Sequence, residues 1–442
     1  MHVKHKKFPK YYLQLCVLFD SVHKVARVSS AWWLSPPLGP HLKRPSSFAA
    51  HREQKVGHRL ALGPHFVSTN PQRGPSAPKP RGSATGRAAF QRKRQSQHSP
   101  AVAPRTECGP TAPRHPAVRS AWTGKEPTSD TLGSMYTFEE IAQRARVVDL
   151  PMIKFRGITH REAMLIEGPK GWAEWSPFLE YETPEAATWL KCALEVAFTG
   201  VPAPKRQKVQ VNGTVPAVKA SEVESILACF PGVKTVKVKV AEPGQSLKDD
   251  VERVAEVRRL MPEATIRVDA NRGWSVEQAI EAAKKLGPLE YMEQPCATVE
   301  ELEQVRPYVK VAADESIRKE SDPLKVKGRV DYAILKCQPM GGPTNVLRVE
   351  KDLGLRVTVS SALETAVGMY ACLATAAAQE VQPAAGLGTG GFFYEDVAER
   401  RQIVDGEIDV TPVVPTNFPT CTNEDFWYRR LKECLGYLQS RS

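Results

Sequence analysis

Among its 442 residues the chain has no C-x-x-C pair and no histidines grouped at metal-ligand spacing. Its nine cysteines (Cys16, Cys108, Cys192, Cys229, Cys296, Cys337, Cys372, Cys421 and Cys434) are scattered. That argues against a zinc site or a disulfide scaffold and fits reduced thiols. No apolar run approaches the roughly 18 residues that a membrane span needs. No G-x-G-x-x-G follows the first strand of the regular region, which weakens a dinucleotide-binding reading. A signal peptide is also poorly supported: Tyr11–Asp20 is a short apolar stretch interrupted by Gln14, and no small-residue cleavage site follows it. These absences point to a soluble, cytoplasmic protein.

Acidic residues are scarce in one part of the chain only. Residues 1–134 carry 22 Lys and Arg against 5 Asp and Glu, whereas residues 135–442 carry 39 against 44. The formal charge of +12 therefore belongs to the first part, and the rest is mildly acidic. Residues 1–134 are dense in Pro, Ser, Arg and His and offer little apolar surface to offset ordering entropy, so they are expected to be disordered. A nucleic-acid-binding tail, densest at Arg92-Lys93-Arg94, is the functional alternative for this stretch. It lacks repeated RGG units and regularly interleaved aromatics. The preferred expectation is an extension that never folds, with the true start at Met135.

From Phe138 the pattern changes. Phe138–Arg146 reads as a short helix or the lead into a strand, Val147–Phe155 and Arg161–Glu167 as strands, and Gly168-Pro169-Lys170-Gly171 as the turn that follows. Glu182–Phe198 has helical spacing, with Thr183 and Pro184 at its start and Gly200 as its stop. This predicts a small α+β unit over 135–205, a cap rather than a complete site. Residues 206–390 then alternate short apolar strands with amphipathic helices. Strands are expected near 209–215, 236–240, 265–270, 289–294, 310–315, 331–337, 356–361 and 383–388. Helices are expected near 219–229, 247–260, 276–286, 298–306, 320–327, 343–353 and 364–379. This α/β alternation means parallel strands joined by crossover helices, and eight of them favour a closed barrel. Residues 391–442 show less pattern, with a terminal helix expected over Phe426–Leu438 that packs back on the cap.

The strand ends carry the chemistry. In Thr235–Val240, period-two alternation puts Lys237 and Lys239 on one face and Val236, Val238 and Val240 on the other. Alone, that is a half-buried strand with a wet lysine face. The next strands end in Asp269, in Glu293, in Asp314 and in Lys336. A single Asp there is more often a helix cap or turn residue, and a single Lys is usually solvated. Three acids and three lysines at the same place in five consecutive units are a different matter. Carboxylates on three successive strands supply the oxygen ligands that a hard divalent cation such as Mg²⁺ requires, and strand ends of a barrel converge on one mouth.

Lys-Val-Lys at 237–239, Asp-Ala-Asn-Arg-Gly-Trp at 269–274, Glu-Gln-Pro at 293–295, Ala-Asp-Glu-Ser at 313–316 and Leu-Lys-Cys-Gln-Pro-Met-Gly-Gly at 335–342, in that order, resemble the enolase superfamily. The likeness covers about 145–415 and includes Gly171–Phe178, Val209–Val218, Ser360–Thr365 and Gly386–Gly390. Within the superfamily it is to the muconate-lactonizing-like branch with a short cap. The resemblance implies a (β/α)7β TIM-like barrel with a small α+β capping domain, and Mg²⁺, with Mn²⁺ as a substitute, held by Asp269, Glu293 and Asp314. It implies that Lys239 removes the proton α to a substrate carboxylate, with Lys237 as a neighbouring charge that tunes it, and that Lys336 faces it from the opposite side. The implied reaction is loss of water from a succinyl-bearing cyclohexadiene carboxylate to give an aromatic product, a step of menaquinone biosynthesis. Ser360, Ser361, Gly386 and Gly388 are expected to receive the succinyl arm, and Asn271 and Arg272 to contact the substrate or to support the residues that do. Ser316 and Thr214 are weaker candidates. An N-acylamino-acid racemase or dipeptide epimerase would use the same residues, and a catalytically dead barrel would have lost one of them. The expected partner is thus a small carboxylate, with neither nucleic acid nor membrane for the folded part; the sequence leaves the oligomeric state open.

Overall fold

The computed structural model describes residues 135–155, 157–318 and 322–441. The expectations for residues 1–134 lie outside the described residues. Thr137 starts the first helix, Phe138–Ala142, by a reciprocal cap: its hydroxyl accepts from Glu140 N at 3.2 Å, and its own N–H donates to Glu140 Oε2 at 2.8 Å. Three antiparallel strands follow, β1 (Ala145–Phe155), β2 (Ile158–Gly168) and β3 (Gly171–Trp175). The pairing Gly168↔Gly171 makes Pro169-Lys170 a two-residue turn, and Gly171 takes a φ of +128° that a side chain would resist. Because β2 is apolar on both faces, this sheet is covered on both. Met164, Ile166 and Trp175 share a core with Trp189 and Leu190, and Val148, Leu150 and Leu165 pack with Leu363, Val367 and Phe393.

The helix Thr183–Leu194 has Glu182 as its N-cap, one residue before the expected Thr183, and runs into a π turn, Glu195–Thr199, that Gly200 ends at a φ of +98°. The final helix, Glu424–Gln439, packs against it. Trp427 of that helix lies edge-on to Trp175 at 5.2 Å and donates from Nε1 to Glu162 Oε2 at 2.6 Å.

Next come β4 (Lys208–Gln210) and β5 (Gly213–Val215), then β6 (Thr235–Lys239), β7 (Thr265–Asp269), β8 (Tyr291–Glu293), β9 (Val311–Ala313), β10 (Tyr332–Leu335), β11 (Arg356–Val359) and β12 (Glu407–Asp409). Strands β5 to β11 form one parallel sheet in chain order. Three of the helices between them begin at reciprocal caps, Ser246 with Asp249, Ser275 with Gln278 and Thr298 with Glu301. This is a TIM-like α/β architecture with a capping unit, in line with the strand–helix alternation and with the (β/α)7β form that the resemblance implies.

Four details differ from expectation. The strand expected over 209–215 is two pieces, because Lys208–Gln210 pairs antiparallel with β12, and only after Val211 and Asn212 does the chain join the barrel. The strand expected over 383–388 is reduced to two bridging residues. Ala385 pairs with Val211, and Gly386 pairs with Ser360, so a short backbone segment joins β11 to the chain just before β5. Gly386 is needed because a Cβ there would meet Ser360 Oγ. The helix expected over 364–379 spans only Met369–Ala378, since 361–368 is tied up as a loop. The region expected as a helix over 320–327 holds a 3-10 turn, Pro323–Val326, preceded by the short helix Glu315–Arg318. Among the described residues all seven cysteines are free thiols, and no helix is long and apolar enough to cross a membrane.

Glu195, at the start of the π turn, is 1 % exposed. Its Oε1 accepts from Thr344 N at 2.9 Å, at the start of the helix Pro343–Leu353, and its Oε2 has no hydrogen-bond partner. Burial raises its pKa in the folded state. A carboxyl raised on folding contributes stability below its unfolded pKa of about 4.3, and that contribution is lost as pH rises through the raised value. Glu195→Gln cannot ionise, so its stability relative to the parent is expected to rise as pH climbs from about 4 through the raised value. Urea midpoints of both proteins across that range test this, and a difference that stays constant with pH contradicts it.

Candidate active site

The alternation of β6 decides which way its charges point. Val236 and Val238 are fully buried in the core shared with the surrounding helices, while Lys237 and Lys239 turn into the barrel. The parallel register then sets Lys239 opposite Asp269, and Asp269 opposite Glu293. Asp314 follows the end of β9 by one residue, and Lys336 follows the end of β10 by one. Asp269, Glu293 and Asp314 are almost fully buried, and the three lysine side chains are 12 to 25 % exposed.

The six charges interlock. Lys237 Nζ lies 2.9 Å from Asp269 Oδ2 and 3.0 Å from both Glu293 oxygens. Lys239 Nζ is 2.6 Å from Asp269 Oδ2 and 2.6 Å from Asn271 Oδ1. Lys336 Nζ bonds to Asp314 at 2.8 and 2.7 Å. Burial alone would raise Asp269, but the two ammonium groups outweigh it and hold that carboxyl far below the usual range. Burial and the neighbouring Asp269 charge push Glu293 up to about 7. Lys237 is opposed by burial but held well above its ordinary value by Asp269 and Glu293. Both ammonium groups bond Asp269 Oδ2, so a carboxylate stands between Lys237 and Lys239.

The donor set suits a hard cation. Three buried carboxylates stand on successive strands, and a lysine ammonium bridges two of them. Among the described residues no three acids enclose an ion-sized space as they stand, which agrees with Lys237 Nζ reaching between Asp269 and Glu293. The anionic chemistry and strand placement fit Mg²⁺, whose ligands would be Asp269, Glu293 and Asp314.

The other expected residues divide. Asn271 bonds Lys239 and, through Nδ2, Glu315 Oε1 at 3.4 Å. Asn271 and the exposed Arg272 both have left-handed backbone, at φ +44° and +71°, as does Gln294 at +38°. Strain at the ends of two adjacent site strands is usual where side chains must be aimed. Ser360 Oγ reaches Gly386 O at 3.4 Å, and Ser361 Oγ donates to Glu364 at 2.8 Å and contacts Thr389 Oγ1 at 2.9 Å. Gly388 leaves room for Asn212 O and the Phe230 ring. Thr214 Oγ1 accepts from Asn212, and Ser316 Oγ from Gln294 Nε2 at 2.7 Å.

Sequence reasoning passed over Gln294, Arg267, Tyr291 and Tyr332. The fully buried Gln294 amide accepts from Asp314 N and Ser316 N at 3.0 and 3.1 Å and donates to Cys296 O, so it fixes the Asp314 turn. Arg267, paired with Glu290 at 2.7 Å, lies over Tyr291, and Tyr291 packs on Tyr332 at 4.9 Å, giving the acids a floor. The signal was present in the same period-two rule, since Arg267 and Tyr291 stand two residues before Asp269 and Glu293.

Comparison with known proteins agrees with this geometry. Residues 147–197 match the model of the enolase N-terminal domain-like family, and residues 223–415 match that of the enolase C-terminal domain-like family. The o-succinylbenzoate synthase of Mycolicibacterium smegmatis is 54 % identical over 286 residues, 63 % of this chain and 88 % of its own. The one from Mycobacterium marinum is 50 % identical over 321 residues, 69 % of this chain and 98 % of its own. Among solved structures, muconate lactonizing enzyme (TM-score 0.52, 18 % identity, 64 % of this chain and 97 % of its own) shares the fold. So does a dipeptide epimerase from Enterococcus faecalis complexed with Mg and a dipeptide (TM-score 0.52, 18 % identity, 62 % and 98 %). With near-complete coverage of relatives at half identity and both domain models in order, the chain belongs to the o-succinylbenzoate synthase family of the enolase superfamily.

Proposed function

We propose that this protein dehydrates 2-succinyl-6-hydroxy-2,4-cyclohexadiene-1-carboxylate to o-succinylbenzoate. The observation that carries the reading is the placement of Lys239 and Lys336, on β6 and after β10, at either end of the acid row Asp269, Glu293, Asp314. A small carboxylate at the barrel mouth then meets an amine on each side. Lys239 Nζ takes the proton α to the carboxylate, and Asn271 and Asp269 hold that nitrogen in place. The electron pair left on carbon forms the new ring double bond as the β-hydroxyl departs. That hydroxyl leaves from the same face and takes the proton back from Lys239, so one water is lost and the ring becomes aromatic. Lys336 stays protonated on the other face and opposes the negative charge that builds on the substrate carboxylate. Asp269, Glu293 and Asp314 would hold a divalent cation, which when bound would supply further positive charge against the developing anion. Mg²⁺ is the natural occupant, with Mn²⁺ as a substitute.

The same reading assigns the reaction to menaquinone biosynthesis in the cytoplasm. It also divides the chain into a cap over 135–205, a barrel over 206–390 and a C-terminal segment over 391–442. Racemisation of an N-acylamino acid is the second reading, because lysines on both faces could exchange one α-proton. The protein with MgCl₂ is expected to aromatise the cyclohexadiene substrate faster than it racemises N-succinylamino acids. Absence of aromatisation sinks the first reading, and faster racemisation favours the second.

A further inference from the structure

The loop 361–368 connects β11 at the barrel mouth to the helix Met369–Ala378, and it is held both by bonds of its own and by residues from elsewhere in the chain. Asp396 and Arg401 bond the N–H and carbonyl of Ala366 at 3.1 and 3.0 Å, and two buried cap residues hold the positions on either side. Arg161 of β2, 2 % exposed, donates from Nε to Leu363 O at 3.3 Å. Its guanidinium also bonds the Ser176 carbonyl and lies 4.2 Å over the Phe178 ring. Glu174 of β3, 3 % exposed, accepts through Oε2 from Thr365 N at 2.9 Å, Thr365 Oγ1 at 2.5 Å and Gly368 N at 3.1 Å. Its Oε1 accepts from Ser176 Oγ at 2.6 Å, and Gln338, two residues beyond Lys336, accepts from Ser176 N at 2.9 Å. Gly368 is glycine because a Cβ would collide with this carboxylate.

The loop would not adopt its shape unaided. Leu363 sits at φ +72°, an unfavourable region for a branched apolar residue. The shape it is forced into has one visible result: Ser361 Oγ donates to Glu364 Oε2 at 2.8 Å, accepts from Leu363 N at 2.8 Å and meets Thr389 Oγ1 at 2.9 Å. The hydroxyl is therefore aimed by the loop, and the cap supplies the anchors at Leu363, Thr365 and Gly368.

We propose that Arg161 and Glu174 are positioning residues through which the cap fixes the 361–368 loop and, with it, the Ser361 end of the barrel mouth, so that the cap sets how tightly the acyl arm of the substrate is held. This rests on the dehydratase reading for the identity of the arm. Neither residue touches the lysines or the acid row, so the effect falls on binding more than on the chemical step. Steady-state kinetics on the cyclohexadiene substrate and deuterium uptake of full-length protein test it together. Glu174→Ala is expected to raise KM about tenfold while kcat changes less than about threefold, and to speed exchange of the 361–368 amides about tenfold with β7 unchanged. Glu174→Gln, which keeps an acceptor for Thr365 and Gly368, is expected to restore most of both. Thr365→Val, a milder change outside the cap, is expected to shift KM and loop exchange in the same direction. The proposal is overturned if Thr365→Val and Glu174→Ala leave KM and loop exchange unchanged, or if they lower kcat and speed exchange throughout the barrel. A wild type without turnover overturns the reaction instead, and the exchange data still decide whether the clamp exists.

Discussion

Replacing Lys239 with alanine is expected to lower turnover of the cyclohexadiene substrate by roughly a thousandfold, in the range general-base removal produces. The fold should survive, because Asp269, the partner the ammonium leaves behind, keeps Lys237 at 2.9 Å. Lys239→Arg sharpens the test. A guanidinium retains the positive charge beside Asp269 and Asn271 but stays protonated at any working pH, so it cannot accept the α-proton. If Lys239 acts as a base, both variants are inactive. If it acts only as a charge, the arginine variant retains much of the activity, and the assignment fails. Initial rates of aromatisation, with circular dichroism to confirm folding, separate these outcomes.

The second large effect is expected at Asp269. It is the most shared atom group of the site, contacting Lys237 and Lys239 through Oδ2 and Asn271 N through Oδ1 at 3.2 Å. Asp269→Asn preserves shape and removes charge, leaving Lys237 with Glu293 alone and Lys239 without a charged partner. Loss of one partner from a buried ion pair costs about 3–5 kcal/mol, so the variant should unfold at a lower denaturant concentration and lose turnover. A separate readout bears on the metal. At an Mg²⁺ concentration about a hundredfold above its dissociation constant, binding stabilises the folded state by about 2.7 kcal/mol. The parent should therefore show a thermal midpoint that rises with MgCl₂ and falls back with a chelator. Asp269→Asn should not respond to either. A variant that keeps the full Mg²⁺ response shows that Asp269 is not a ligand.

Much of this site was legible in the sequence because strand geometry is short-ranged. Side chains two apart share a face, so the pairing of Lys237 with Lys239 needs no tertiary information. Repeated strand–helix units place every strand end at one mouth, which is why Asp269, Glu293, Asp314 and Lys336 could be assembled on paper. The same rule was available for Arg267 and Tyr291, which escaped notice because an arginine or tyrosine inside a strand carries no motif. Gln294 was passed over for another reason: that its two poles tie Asp314 and Ser316 to the preceding strand appears only when β8 and β9 are adjacent.

Where partners are distant, local pattern failed. The helix expected from 364 starts at Met369 because residues up to 368 are claimed by Glu174 and Arg161, some 200 positions earlier in the chain. The strands expected over 209–215 and 383–388 shrank because each changes partner part-way, one from β12 to the barrel, the other to two bridges that complete the ring. The sequence by itself determined the alternation, the barrel class and which charged residues reach the mouth, since these follow from backbone period and order along the chain. Tertiary structure alone decided how the charges pair, how the sheet is joined across its last gap, and how the cap grips the loop after β11. Those depend on buried hydrogen bonds between segments far apart in sequence, whose geometry no local pattern records.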